Sequence, residues 1–197
     1  MATVPALVVA GPSGVGKGTL LKMIRARYGE YLEFTISCTT RAPREGEVDG
    51  KDYYFITKEE FEKRVQDNQF LEHATFAGNR YGTGLSEIAR VQRMGNKICL
   101  IEIELNGVQQ LQKNPNVLAK YVFLYPPSTE ALAERLRLRG TESEETIQRR
   151  LETGRQEIEI MDQLTCNHKI VNVELQDAYK SLCEYVESAF DFIKIDS

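Results

Sequence analysis

The chain has 197 residues, 42% of them hydrophobic and 27% charged, which suits one globular body with a substantial core and excludes a fibre, a disordered tail or a mini-protein. With 25 Lys and Arg against 29 Asp and Glu the net charge is −4, so no bulk attraction draws the chain to nucleic acid or to an anionic membrane. Any phosphate chemistry must come from local clusters.

The first apolar run is Ala6 to Ala10, and Leu7 to Ala10 within it reads as a buried strand. It is far shorter than the roughly 20 residues of a membrane span and lacks the basic flank and cleavage pattern of a signal peptide, so a cytoplasmic location is expected. Directly after it come Gly11, Pro12, Ser13, Gly14, Val15, Gly16 and Lys17, and then a helical pattern from Thr19 to Tyr28. Strand, glycine-rich turn, lysine and helix in that order are the context of a P-loop. Its backbone N–H groups and helix dipole meet phosphate, and Lys17 reaches the β and γ phosphates. Gly18 stands where a P-loop usually has the Ser or Thr hydroxyl that touches Mg²⁺, and Thr19 follows one place later. Mg²⁺ would then lean on water and on substrate phosphates, and no set of protein metal ligands is expected.

Further apolar runs of strand length lie at Phe34 to Ile36, Ile98 to Ile103, Tyr121 to Leu124 and Ile170 to Val173. Amphipathic stretches fall at Asn106 to Lys113, Thr129 to Leu138, Glu144 to Met161 and Leu175 to Phe192. This alternation predicts an α/β fold with a central parallel sheet flanked by helices. Residues 38–95 break the rhythm, being rich in Gly, Arg, Tyr and Glu with short alternating segments at Asp52 to Ile56 and Leu71 to Phe76, and are expected to form an inserted α+β subdomain. Between Arg135 and Arg155 the chain holds six Arg and no Lys, with a break at Gly140-Thr141, the pattern of a helical lid. The expected organisation is one domain over 1–197, with a core of 1–37, 96–125 and 164–197, an insert of 38–95 and a lid of 126–163.

Strand Ile98 to Ile103 runs into Glu102-Ile103-Glu104, and period-two alternation predicts both carboxylates on one side at the C-terminal edge of the sheet, where open α/β sheets bind ligands. Cys38, Cys99, Cys166 and Cys183 form no C-x-x-C pair and have only His73 and His168 to join them, which predicts free thiols in a reducing compartment and no zinc site.

The run Thr39-Thr40-Arg41-Ala42-Pro43-Arg44-Glu45-Gly46-Glu47-Val48-Asp49-Gly50-Lys51-Asp52-Tyr53 resembles the mononucleotide-binding segment of the guanylate kinase family. The P-loop, Phe70-Leu71-Glu72, Tyr81-Gly82-Thr83, Gly107-Val108, Pro126-Pro127-Ser128 and Arg135-Leu136 to Gly140-Thr141 follow in family order. The resemblance implies a P-loop kinase fold, ATP as donor with Mg²⁺, and transfer of phosphate from ATP to GMP. It implies that Gly11, Ser13, Gly14, Val15, Gly16, Lys17, Gly18 and Thr19 bind ATP, with Asn172 near the ATP base. It further implies that Arg41, Arg44, Tyr53 and Tyr81 hold the GMP phosphate and that Ser37, Glu72 and Thr83 read guanine. Glu102 and Glu104, where the family usually has Asp, would contact nucleotide and metal-bound water, and Lys17, Arg41, Arg135, Arg139 and Arg150, with Arg149 as a neighbour, would stabilise the transferring phosphoryl. GMP and ATP are the expected partners of a monomer or weak homodimer. Another small P-loop kinase, or a non-catalytic guanylate-kinase-like interaction module, remains open at this point.

Overall fold

The computed structural model describes residues 4–76, 78–114, 117–138 and 143–191. Arg139, the Gly140-Thr141 break and Phe192 lie outside the described residues.

Strands β1 (Val4–Ala10), β2 (Leu32–Phe34), β7 (Ile98–Glu102), β8 (Val117–Tyr125) and β9 (His168–Val171) form a parallel sheet in the order β2-β7-β1-β8-β9. The unbroken apolar sequence of β1 has a direct cause: both faces are covered. Leu7 and Val9 pack against helices α1 (Lys17–Tyr28) and α7 (Leu175–Ala189), through Leu20, Ile24, Leu182 and Val186. Ala6, Val8 and Ala10 face the other way, toward helices α3 (Leu85–Arg93) and α4 (Leu105–Gln112), through Ile88, Val91, Val108 and Leu111. Since β7 and β8 lie on opposite sides of β1, the chain switches direction across the sheet at the C-terminal end of β1. That is where a parallel α/β sheet opens a crevice.

Between β2 and β7 a second sheet is inserted, ordered β4-β3-β6-β5, from β3 (Ser37–Thr39), β4 (Tyr54–Phe55), β5 (Phe70–Phe76) and β6 (Asn79–Gly84). Helix α2 (Lys58–Gln66) covers it, capped by the Thr57 side chain, and fully buried Phe61 stacks on Phe70 with ring centroids 4.5 Å apart. Helices α5 (Thr129–Leu138) and α6 (Glu144–Gln163) close on each other through Leu132, Leu136, Ile147 and Leu151. The far end of α6 returns to the main core, where Met161 is fully buried.

The sequence pattern placed Glu104 on the same strand as Glu102. The structure corrects this: β7 stops at Glu102, and Glu104 is the N-cap residue of α4. Period-two alternation does not carry past the end of a strand.

Candidate active site

The crevice at the end of β1 is a cleft of about 270 Å³, walled on one side by the phosphate loop and on the other by the inserted sheet. Helix α1 begins at Lys17 with no side-chain cap and no acidic residue in its first turn, so its first N–H groups and dipole are left for an anion. Gly16 precedes it at φ 104°, a left-handed conformation that suits glycine. The buried Lys17 ammonium donates to the carbonyl of Gly11 at 2.6 Å and of Pro12 at 3.4 Å, folding back over the loop. Ser13, Gly14, Gly16, Lys17 and Gly18 line the cleft, whereas Gly11 and Val15 support the loop from beneath and Thr19 is exposed outside it.

On the insert side the cleft is lined by Ser37, Arg41, Arg44, Tyr53, Glu72 and Tyr81. Arg41 donates two parallel bonds to Glu47, at 2.8 and 2.9 Å, and lies over the ring of Tyr53. Glu47 also accepts the Arg44 N–H at 2.6 Å, so one carboxylate organises both arginines of the loop. Burial, reinforced by Glu102 and the neighbouring Tyr81, pushes the Tyr53 phenol up to about 12, and it stays a neutral hydroxyl donor.

Glu72 is 4% exposed and accepts the Thr83 N–H at 2.8 Å. The Thr83 hydroxyl is 3.3 Å from that of Ser37, which joins the three residues in one corner, with Thr83 fully buried behind the other two. Burial raises the Glu72 carboxyl above its ordinary range, opposed by the bonds from Thr83. Gly107 of α4 permits this placement, because a Cβ there would overlap Glu72 Oε2 and come within 3.0 Å of Cδ.

Between the two ends stand Glu102 and Glu104. Glu102 is open to the cleft, yet the protein mass around it raises its carboxyl, with Lys17 opposing and Glu104 reinforcing the shift. Oε2 of Glu104 is buried without a hydrogen-bond partner among the described residues, as is Oε2 of Glu157. Glu157 belongs to α6, where sequence alone does not distinguish it from the other acidic residues of that helix. Burial is the main cause that lifts its carboxyl to about 7, and Glu104 lifts it further, against the opposing effects of Lys17 and the Ser13 N–H.

The arginines divide. Arg150 lines the cleft and donates to the Ser13 hydroxyl at 3.1 Å. Arg135 is turned to the back of the loop, donating to Val15 O at 3.4 Å, Asn172 O at 2.7 Å and Val173 O at 3.2 Å. Arg149 is spent on an exposed pair with Glu145. Asn172 is likewise absent from the cleft wall: it is 4% exposed and donates its side-chain amide to Val15 O at 2.7 Å. Its Nδ2 sits 2.6 Å from where a Gly16 Cβ would fall, so the glycine at 16 serves this close approach as well as the turn.

Comparison with known proteins places these features in context. The family model described as guanylate kinase matches residues 4–189. The guanylate kinase of Schizosaccharomyces pombe is 49% identical over 177 residues, covering 89% of this chain and 87% of that protein. That of Sus scrofa is 40% identical over 184 residues, covering 90% and 89%. A crystal structure of guanylate kinase from Anaplasma phagocytophilum superposes with a TM-score of 0.70 at 27% identity, over 98% of this chain and 89% of that one.

Proposed function

The chain belongs to the guanylate kinase family, and on that premise we propose that it transfers the γ-phosphoryl group of ATP to GMP, giving ADP and GDP. The observation that carries the reading is one cleft with an uncapped phosphate-binding helix end and Lys17 at one side and the buried Glu72 at the other. Guanine offers N1–H and a 2-amino group to a carboxylate acceptor. Adenine turns an N1 lone pair toward it, leaving a buried charged group unpaired at a cost of roughly 1.5–3 kcal/mol. The relatives' names favour this enzyme over the interaction module.

In this reading Arg41, Arg44, Tyr53 and Tyr81 grip the GMP phosphate, and the Glu47 pair holds the Arg41 fork in shape before substrate arrives. Lys17 leaves the Gly11 carbonyl for the ATP phosphates, and Arg150 stands ready from α6 for the negative charge that spreads over the transferring group. No covalent intermediate and no protein base is needed, because alignment, charge stabilisation and exclusion of water suffice. Arg135 and Asn172 act from behind, keeping the loop shaped. The residues 126–163 serve as the lid and 38–95 as the GMP-binding part, closing over the core 1–37, 96–125 and 164–197. A Mg²⁺ ion carried by ATP fits the chemistry of this donor set, because the carboxylates Glu102 and Glu104 line the cleft and can accept hydrogen bonds from metal-bound water. Those two carboxylates would hold its water shell, and the ion would neutralise charge on the ATP phosphates.

The four free cysteines, Cys38, Cys99, Cys166 and Cys183, fit a reducing compartment such as the cytoplasm, and the net charge of −4 offers no bulk attraction to nucleic acid or an anionic membrane; with these goes the reading of the chain as a monomer or weak homodimer. A coupled assay with ATP, Mg²⁺ and GMP, AMP, CMP or UMP tests the function. GMP should be preferred by about 10-fold to 150-fold or more; equal use of AMP would reject the assignment.

A further inference from the structure

Helix α4 runs along the seam between the two sheets. Its N-cap Glu104, then Gly107, then Gln110, are spaced by three residues and so lie along one side of the helix. Glu104 lines the cleft, Gly107 lies against the Glu72 carboxylate, and Gln110 reaches the strand that carries Glu72. That last contact is reciprocal. Gln110 Nε2 donates to the His73 carbonyl at 2.6 Å, and the His73 N–H donates to Gln110 Oε1 at 3.1 Å. Nε2 also donates to Asn106 O at 3.2 Å, which orients the amide from within its own helix.

Strand β5 is an edge of the second sheet, so the outward backbone groups of His73 have no neighbouring strand to meet. The Gln110 amide supplies the donor and the acceptor that a strand would. The pairing of β5 with β6 also shifts register between Phe70 and Glu72, immediately before the carboxylate. Such an irregularity re-aims side chains and loosens the ladder, so a restraint from outside the sheet has a purpose here.

We infer that Gln110 is a positioning residue: it pins β5 at His73 and thereby fixes the adjacent Glu72 carboxylate relative to the transfer end of the cleft, marked on the same helix by Glu104. The inference rests on the guanine-reading role proposed for Glu72. It concerns selectivity, because a carboxylate in register meets both N1–H and the 2-amino group of guanine, and a displaced one meets a single donor. Inosine monophosphate keeps N1–H and lacks the amino group, so it reports on that second contact.

The test compares Gln110→Met, which keeps length and loses both bonds, and Gln110→Glu, which keeps an acceptor for the His73 N–H, using ATP with GMP or inosine monophosphate. Gln110→Met should raise KM for GMP about 5- to 20-fold, leave KM for ATP within about twofold, and shrink the preference for GMP over inosine monophosphate at least ~3-fold; Gln110→Glu, whose second carboxylate oxygen would face the His73 carbonyl, should move all three in the same direction. If Gln110→Met does not fold, the same split in Gln110→Glu decides. Equal rises in both KM values, or an unchanged preference, would overturn the inference. Glu72→Gln run in parallel separates the two levels: no effect of that change on GMP would remove the guanine-reading role itself, whereas a clear effect with silent Gln110 variants would remove only the role of Gln110.

Discussion

The side-chain amide of Asn172 donates to the carbonyl oxygen of Val15 at 2.7 Å, so the segment just beyond β9 grips the phosphate loop from behind. Asn172→Ala removes this bond and leaves Val15 O with the longer Arg135 contact alone, a loss of about 1–2 kcal/mol. Tm should fall by about 2–8 °C for a domain of this size. KM for ATP should rise more than KM for GMP, since the loop and not the insert is disturbed. Equal kinetics with an unchanged Tm would show the clamp to be idle.

Gly107→Ala sets two effects against each other. Alanine favours a helix over glycine by up to about 1 kcal/mol, while crowding a buried side chain costs about 1–3 kcal/mol, so Tm should hold or fall modestly. The new methyl group meets the Glu72 carboxylate, and displacing it by near 1 Å should lower kcat/KM for GMP on the order of 10²-fold. Steady-state kinetics beside a thermal melt decides; normal GMP kinetics would mean that the position of Glu72 is not critical.

Glu104 caps α4 without a side-chain hydrogen bond, and aspartate is among the best N-cap residues. Glu104→Asp should therefore raise Tm slightly, by about 1–4 °C, while drawing the carboxylate back toward the helix and lowering kcat at saturating substrates by about 10-fold or more. A faster enzyme would mean that the shorter carboxylate serves the site better than Glu104 does.

Glu157 supplies a pH dependence. Its carboxyl is raised to about 7 in the folded protein, mainly by burial, against about 4.3 for an unperturbed glutamate. Between these values the folded state binds more protons than the unfolded state, so stability falls as pH rises through that window and levels off above it. Glu157→Gln removes the titration. The difference in Tm, variant minus wild type, should grow from pH 5 to pH 7.5; a difference that is flat or shrinks over that range would reject the assignment.

Much of this was legible in the sequence because it is local or periodic. The phosphate loop is a contiguous run between a strand and a helix, and the parallel sheet announces itself through strands such as β1 whose two faces are both apolar. What was hidden depends on contacts between distant segments. Glu157 looks like any other helix carboxylate until α6 carries it under Glu104, and Gly107 and Gln110 gain meaning only when β5 is laid against α4. Asn172 and Arg135 were readable as polar residues near a nucleotide, but not as braces on Val15, because hydrogen bonds to backbone carbonyls leave no pattern in side-chain identity. Strands β3 and β6, short and rich in polar residues and glycine, carry little hydrophobic periodicity of their own.

The central claim is phosphoryl transfer within one cleft, with Lys17 as a charge stabiliser, and a single label settles it. With ATP labelled at the γ-phosphoryl group, Mg²⁺ and GMP, the label should appear in GDP with the wild-type chain and at least ~10²-fold more slowly with a folded Lys17→Ala variant. Label released as inorganic phosphate, or GDP formed equally fast by the variant, would contradict the account.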